Sequence, residues 1–292
     1  MKASMVLTPL LLFLAVNAQE TSPAAPSKAR HVSGMVRGVW RDTIVLDSSV
    51  AIGPHDTLYV HLGTVVLVDG YNTIAVDGVM LAEGTEEAPI RFVSAAEQPA
   101  RWDWDRIHFR GRFESFLKCC IIKHSNYGVF ADGAEVTLIN CLLDSNSVHS
   151  IYARRGKVCA LKCAVRGRQV LGVYADQAGT VDLDECRGSG NHNGAGCNQG
   201  GRLAMDACLI SGNTRGLVVH RNSLVEVVDS RIEGNGYGLT SDTLEKFEIF
   251  PGLKKSRVDR DRLESDRLAS FFRKPAVIGI RREEEEPPEE EI

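Results

Sequence analysis

The sequence lacks any apolar run after residue 18 that approaches the roughly 20 residues needed to cross a bilayer. It also lacks a basic cluster, because its 34 Lys and Arg residues are spread along the chain and the formal net charge is −4. A basic patch supplies most of the affinity of a protein for nucleic acid. These absences exclude nucleic acid as a partner and predict that no segment of the mature chain spans a membrane.

The amino-terminal segment, residues 1–18, carries one early cation at Lys2, an apolar core from Leu10 to Leu14, and small residues before Gln19. This order is typical of a secretory signal peptide. No cysteine lies at the expected cleavage point, which argues against a lipid anchor. We therefore expect an exported protein, located outside the cell, on the cell surface or in the periplasm.

Two segments have too little apolar surface to form a core. Residues 19–35 begin with small, polar and proline-bearing residues and are predicted to form a flexible linker. Residues 241–292 lose the rhythm of the preceding sequence and end in a glutamate run broken by two prolines. Like charges repel one another, so we expect this tail to be largely disordered.

A repeat of 22 residues dominates the region between these segments. Short blocks that mostly begin with glycine recur at this spacing, starting at Gly128, Ser150, Gly172, Gly194, Gly216 and Gly238. Each repeat also holds a second landmark, a cysteine or serine, at Cys120, Cys141, Cys163, Cys186, Cys208 and Ser230. Three short apolar stretches per repeat, with no helical pattern between them, indicate one coil of a β-solenoid.

In a parallel solenoid each strand pairs with its equivalent one coil away, so equivalent side chains form columns. The cysteines should form one inward column that fills a narrow corner as small apolar groups, with partial disulfide pairing left open. A column of asparagines should bond to the backbone where the strands bend. Its members are Asn146, Asn191, Asn213 and Asn235, with Asn126 one place late and Arg168 interrupting the series.

The amino-terminal half adds a resemblance to a known group. The segments DTLYVHLGTVVLVDG, IAVDGVMLAEGTEEAPIRFVS and WDWDRIHFRG resemble the strand and turn order of secreted bacterial proteins in the pectin-lyase-like superfamily. The resemblance implies an all-β, single-stranded, right-handed parallel β-helix of about nine coils, which we place at residues 36–240. It implies little about activity, because this fold carries enzymes and non-catalytic proteins alike.

The strands led by glycine should present two columns outward. The first holds the aromatic rings of Phe130, Tyr152 and Tyr174, and the second holds Asp132, Arg154, Asp176, Asn198 and His220. Exposed rings beside polar groups are suited to stacking on sugars and bonding their hydroxyls, which makes these residues the candidate ligand-binding site. Stacked rings and alternating charges also stabilise neighbouring coils without any ligand.

A second outward face should carry four carboxylates, Asp182, Asp184, Asp206 and Glu226. Carboxylates one coil apart repel unless they are solvated or bridged, so Asp184 beside Asp206 is a candidate calcium seat. Acidic residues are also common on solvated faces. The histidines fall at different phases of the repeat and the cysteines lack C-x-x-C spacing, so neither type predicts a metal centre.

The known catalytic signatures of the superfamily are largely missing. Gly179 to Glu185 resembles part of a pectin methylesterase motif without its continuation. The set of catalytic residues typical of polygalacturonases is missing, and its nearest match is Arg231-Ile232-Glu233. We therefore expect a non-catalytic protein that binds a polysaccharide or a surface partner through the outer face of its coils. The alternatives are a calcium-dependent polysaccharide lyase or related carbohydrate-active enzyme, and a purely structural envelope protein.

Overall fold

The computed structural model describes residues 29–167, 171–220 and 222–241, and the backbone of three short strands beyond them. The predicted signal peptide, Arg168 and most of the tail lie outside the described residues. Within them the chain forms strands and turns only, and no helix is long and apolar enough to cross a membrane. Every pairing between the strands is parallel, which makes the protein a parallel β-solenoid of about nine turns.

Each coil contributes one strand to each of three faces. Face 1 is a ten-stranded sheet. Its strands are β2 (Gly38–Trp40), β4 (Thr57–Val60), β7 (Val79–Glu83), β10 (Ser115–Lys118), β13 (Glu135–Ile139), β16 (Lys157–Leu161), β19 (Thr180–Asp184), β22 (Arg202–Asp206), β25 (Leu224–Val228) and β30 (Val277–Gly279).

Face 2 consists of short strands that follow face 1 in each coil. They are β5 (Val65–Val68), β8 (Ile90–Ser94), β11 (Cys120–Lys123), β14 (Leu142–Asp144), β17 (Ala164–Arg166), β20 (Arg187–Ser189), β23 (Leu209–Ser211), β26 (Arg231–Glu233) and β28 (Arg257–Val258). In the three-residue strands β14, β17 and β23 the central side chain is the one that alternation points inward, and it is buried.

Face 3 consists of the strands led by glycine and their equivalents. They are β6 (Thr73–Val76), β9 (Trp104–Phe109), β12 (Ser125–Asp132), β15 (His149–Arg154), β18 (Leu171–Asp176), β21 (Asn193–Cys197), β24 (Arg215–Val219), β27 (Tyr237–Ser241) and β29 (Leu263–Ser265). Two amino-terminal strands, β1 (Arg30–Met35) and β3 (Thr43–Ile52), span faces 2 and 3 and join them into one sheet of 20 strands.

The ends of the solenoid differ from the sequence-based boundaries. Strand β1 begins at Arg30 and pairs with β3, so the ordered ladder starts six residues before the predicted boundary at residue 36. At the other end β28, β29 and β30 pair with β26, β27 and β25, although residues 241–292 were expected to be largely disordered.

The cysteine column is confirmed. Cys120, Cys141, Cys163, Cys186 and Cys208 are all buried, and all eight cysteines of the chain are free. The N–H of Cys141 lies 3.4 Å from Sγ of Cys163, and the next pair repeats the contact. Burial raises the pKa of the Cys120 thiol, and the buried column packs as small apolar groups.

The asparagine column is confirmed as the element that closes the bend between faces 2 and 3. The N–H of Asn191 donates to Oδ1 of Asn213 at 2.9 Å, and the N–H of Asn213 donates to Oδ1 of Asn235 at 2.9 Å. In an earlier coil, Ser125 takes the position expected for Asn126 and donates from its hydroxyl to Oδ1 of Asn146 at 2.7 Å. Each amide thus satisfies buried backbone groups that the ladders leave unpaired.

The bend between faces 1 and 2 is made by a single residue in the left-handed region. This position is occupied in successive coils by Cys119, Asn140, Lys162, Glu185, Ala207 and Asp229, with φ between 44° and 55°. Residues with a Cβ pay about 1 to 2 kcal/mol in this region. The stacked coils therefore hold the bend in a conformation that most of its residues do not favour.

This strain predicts the effect of glycine at one such bend. Ala207 has φ 48°, so Ala207→Gly should raise the free energy of unfolding by about 0.5 to 1 kcal/mol, measured by urea denaturation. Ala175→Gly is the control, because Ala175 is buried within β18 and this change should lower stability by about 1 kcal/mol. Destabilisation by Ala207→Gly would show that the left-handed bend carries no strain.

Candidate functional site

The predicted ligand-binding residues lie on face 3 in the expected register. Phe130 pairs with Tyr152, which pairs with Tyr174, and these three rings form the aromatic column. Asp132, Arg154 and Asp176 form the neighbouring column in the same coils. Asn198 and His220 follow the ends of β21 and β24 on the next two coils. The repeat thus placed all eight residues on one face.

The expectation that these rings face solvent is wrong. Phe130 is 4% exposed, Tyr174 is 9% exposed, and Tyr152 is half-buried. Rings from adjacent positions cover one another, with centroids 4.6 Å apart for His108 and Phe130 and 5.0 Å apart for Phe130 and Tyr152. These outward side chains are buried because the large rings of neighbouring positions cover them.

The polar members of this site are also occupied. Arg154 donates from Nε and Nη2 to the two oxygens of Asp132 at 3.1 and 2.6 Å, and Arg155 donates to the same carboxylate at 2.9 Å. Arg154 in particular lowers the pKa of Asp132 to about 2. The hydroxyl of Tyr152 donates to Oδ2 of Asp176 at 2.7 Å. These groups bond to each other across coils, which favours a structural role.

The last ring of the aromatic column packs against a glycine of the next coil. Tyr174 pairs with Gly196 in the next coil, and a Cβ built on Gly196 would lie 2.8 Å from the Tyr174 ring. The ring therefore occupies the space that a side chain at residue 196 would need. This packing buries Tyr174 although no aromatic residue follows it in the column.

His149 is a buried group that the sequence reasoning missed. It is 7% exposed, its ring stacks on Tyr152 with centroids 4.6 Å apart, and its Nδ1 has no hydrogen-bond partner among the described residues. Burial lowers its pKa to about 3. The signal in the sequence was the repeat spacing, which places His149 in one column between Tyr127 and Leu171.

If the aromatic column is structural, removal of the Tyr174 ring should lower the stability of the folded protein. We expect Tyr174→Ala to lower the free energy of unfolding by about 2 to 4 kcal/mol, because it removes packing between coils. Trp102→Ala is the control, since Trp102 is 64% exposed and its loss should change stability by less than about 0.5 kcal/mol. Equal effects in chemical denaturation would contradict a structural role for the column.

His149 also predicts acid sensitivity. Its pKa is about 3 in the fold against 6.5 for a free side chain, so the unfolded chain gains the proton first as the pH falls. The free energy of unfolding should therefore decrease between pH 6.5 and pH 3, by about 2 to 3 kcal/mol at pH 4.5. His149→Phe should flatten this slope in denaturation at several pH values, whereas the exposed control His55→Phe should keep it. A wild-type slope in His149→Phe would contradict the assignment.

The four predicted carboxylates lie on the outer side of face 1, but in two columns. Asp182 and Glu226 share one column with Ala204 between them, while Asp184 pairs directly with Asp206 in the next. Nζ of Lys157 lies 3.4 Å from Oδ2 of Asp182, and Arg202 donates to Oε2 of Glu226 at 2.6 Å. Two of the four carboxylates thus already have a cationic partner.

The calcium seat receives no support from this arrangement. Among the described residues, no group of three or more His, Cys, Asp or Glu side chains could hold a metal ion. Only Asp184 and Asp206 lie side by side, and the pKa of Asp184 is raised by burial and by Asp206. The pairing of Asp184 with Asp206 is as expected, whereas Asp182 and Glu226 lie in the neighbouring column with Ala204 between them.

The same carboxylates line an open groove of about 470 Å³ on face 1, which we call the face-1 groove. Its walls include apolar side chains and Arg202, the cation that pairs with Glu226. The outward residues that line it are Thr137, Ile139, Cys159, Leu161, Asp182, Asp184, Arg202, Ala204, Asp206, Glu226 and Val228. The alternation of face 1 also predicts that Arg202 and Ile139 point outward, although the sequence did not single them out as site residues.

These features define the class of the protein as a parallel β-solenoid with one sealed face and one grooved face. Residues 106–249, just under half of the chain, match the family model described as right handed beta helix region, and the parallel ladders of the structure agree with this match. The match is consistent with the pectin-lyase-like superfamily and includes the aromatic column and the face-1 groove. Comparisons with curated proteins and with solved structures gave no match.

Proposed function

We propose that this protein is an exported, non-catalytic β-helix protein that binds a polysaccharide in the face-1 groove. The observation that carries the proposal is the groove itself, with its fixed carboxylates beside apolar side chains. Arg202 holds Glu226 and Lys157 holds Asp182, so these acceptors are oriented before a ligand arrives. Oriented polar groups on an apolar surface are typical of ligand sites.

The geometry of stacked coils suits a polymer. The groove extends from β13 to β25, which is four steps of about 4.8 Å or roughly 19 Å along the axis. Sugar hydroxyls would donate to the carboxylates, and the apolar faces of the rings would lie against Ile139 and Leu161. A chain with a regular repeat would then meet similar groups at regular intervals.

A carbohydrate-active enzyme is the second candidate, because one observation favours it. Asp184 has a raised pKa and stands beside Asp206, with Arg202 in the same groove. A carboxyl group with a raised pKa can act as general acid on a glycosidic bond, and a second carboxylate beside it can act as base or nucleophile. The calcium-dependent form of this candidate has no set of three ligands among the described residues.

Binding is tested by isothermal titration against a panel of neutral, acidic and amino polysaccharides. For the polysaccharide of this panel that binds the wild-type protein, the double variant Asp182→Asn, Glu226→Gln should weaken binding by about 10- to 100-fold, since it removes charged acceptors. Asp144→Asn is the matched control, because Asp144 lies on face 2 beside Lys123. Equal affinities for all three proteins would place the binding site elsewhere and defeat the proposal.

Catalysis is tested on the same panel by following new reducing ends and unsaturated products. A binding protein should leave every polysaccharide intact over long incubation. Products that form with the wild-type protein and disappear with Asp184→Asn would instead establish the second candidate, because a binding surface has no need of a titrating carboxyl group.

A further inference from the structure

The amino-terminal half of face 1 exposes a continuous row of apolar side chains. In the central outward column Val39 pairs with Tyr59, Tyr59 with Leu81, and Leu81 with Phe116. We call these four residues the apolar row. Val39 is 45% exposed and Tyr59 is 51% exposed, while Leu81 and Phe116 are half-buried. The same column becomes polar from Thr137 onward.

Further apolar residues widen this surface. Leu62 follows β4 at one margin and is 45% exposed, and Phe113 precedes β10 at the other margin and is 63% exposed. Half of the eight large apolar residues that are exposed in the described part of the chain therefore lie on or beside this half of face 1. Contiguous exposed apolar surface is characteristic of an interaction site.

Two charges that flank the apolar row would be complementary to each other across a twofold axis. Glu114 and Lys118 are exposed and flank Phe116 on opposite sides of the row. A twofold axis parallel to the solenoid axis reverses the lateral direction of one copy and keeps its coils in register. Each central side chain then faces its own counterpart, and Glu114 of each copy faces Lys118 of the other.

The same symmetry limits how far the contact extends. Beyond Cys159 the central column contains Asp182 and Glu226, and each would face an identical carboxylate across the axis. Carboxylates that face each other gain nothing from contact, and under this symmetry the two face-1 grooves lie opposite each other across the axis. The apolar row is thus the part of face 1 that suits a second copy of this chain.

We propose that two copies of the protein associate face to face through the apolar row, with their solenoid axes parallel and their coils in register. Burial of the row removes the exposed apolar area from water, and the two Glu114–Lys118 pairs fix the lateral position. The residues of the apolar row lie outside the lining of the face-1 groove, so this inference does not depend on the proposed function.

The oligomeric state of the full chain tests the proposal by sedimentation equilibrium over a range of concentrations. The wild-type protein should form a dimer, and Leu81→Asp should raise the dissociation constant by more than about 100-fold, because it opposes two charges in an apolar contact. The control Trp102→Asp changes an exposed aromatic residue outside face 1 and should remain dimeric. A monomer at every concentration, or a dimer that survives Leu81→Asp, would overturn the proposal.

A charge exchange provides a second variant that leaves the apolar row intact. Lys118→Glu sets carboxylates opposite each other and should weaken the dimer about tenfold, and adding Glu114→Lys should restore it. Failure of the double variant to recover affinity, when both variants unfold at the wild-type temperature, would contradict the lateral pairing.

Cross-linking tests the parallel register directly. In a Cys159→Ala background, Val39→Cys and Phe116→Cys should each form a disulfide-linked dimer on mild oxidation, because each position faces itself. An antiparallel dimer would instead link the two variants only when they are mixed. Cross-links that form only in the mixture would therefore reject the parallel arrangement.

Discussion

The coil-on-coil parallel ladder is the constraint on which the rest of this structure depends. Every strand pairs with its equivalent in the next coil, so each position of the repeat becomes a column of side chains about 4.8 Å apart. The residues of one column therefore occupy the same kind of environment in every coil. Cysteines fill a narrow corner, asparagines close a bend, and left-handed residues turn the chain from face 1 to face 2.

The same constraint separates a sealed face from an open one. On face 3 the outward columns carry rings and paired charges large enough to cover each other, so their polar groups are satisfied within the protein. On face 1 the outward side chains are smaller or more widely separated, and a groove remains. The candidate site therefore lies on the face whose outward columns leave space between their side chains.

The fold was largely predictable from the sequence because the spacing of 22 residues fixes register, and register fixes which side chains share a column. The inward column of Cys120 and the bonds of Asn213 follow from that spacing alone. The exposure of Tyr174 did not follow, since it depends on the absent side chain of Gly196 and on rings from other columns. The strand at Arg30 was missed because its neighbours in the sequence are small and polar.

For the candidate site, the sequence predicted the face of each carboxylate but not its partner. Asp182 and Glu226 were expected to attract calcium, yet Lys157 and Arg202 occupy outward positions close enough to neutralise them. Long cationic side chains reach across columns, so their contacts depend on rotamers that a repeat pattern does not specify. The repeat thus predicts where residues lie more reliably than what they touch.

Thiol accessibility tests the column assignment most directly. All eight cysteines are free, seven are buried, and Cys159 alone points outward from face 1. Titration with a thiol reagent under non-reducing conditions should therefore show one reactive thiol in the native protein and eight in denaturant, with the native signal lost in Cys159→Ala. Several reactive thiols in the native state, or fewer than eight after unfolding, would contradict an inward column of unpaired cysteines.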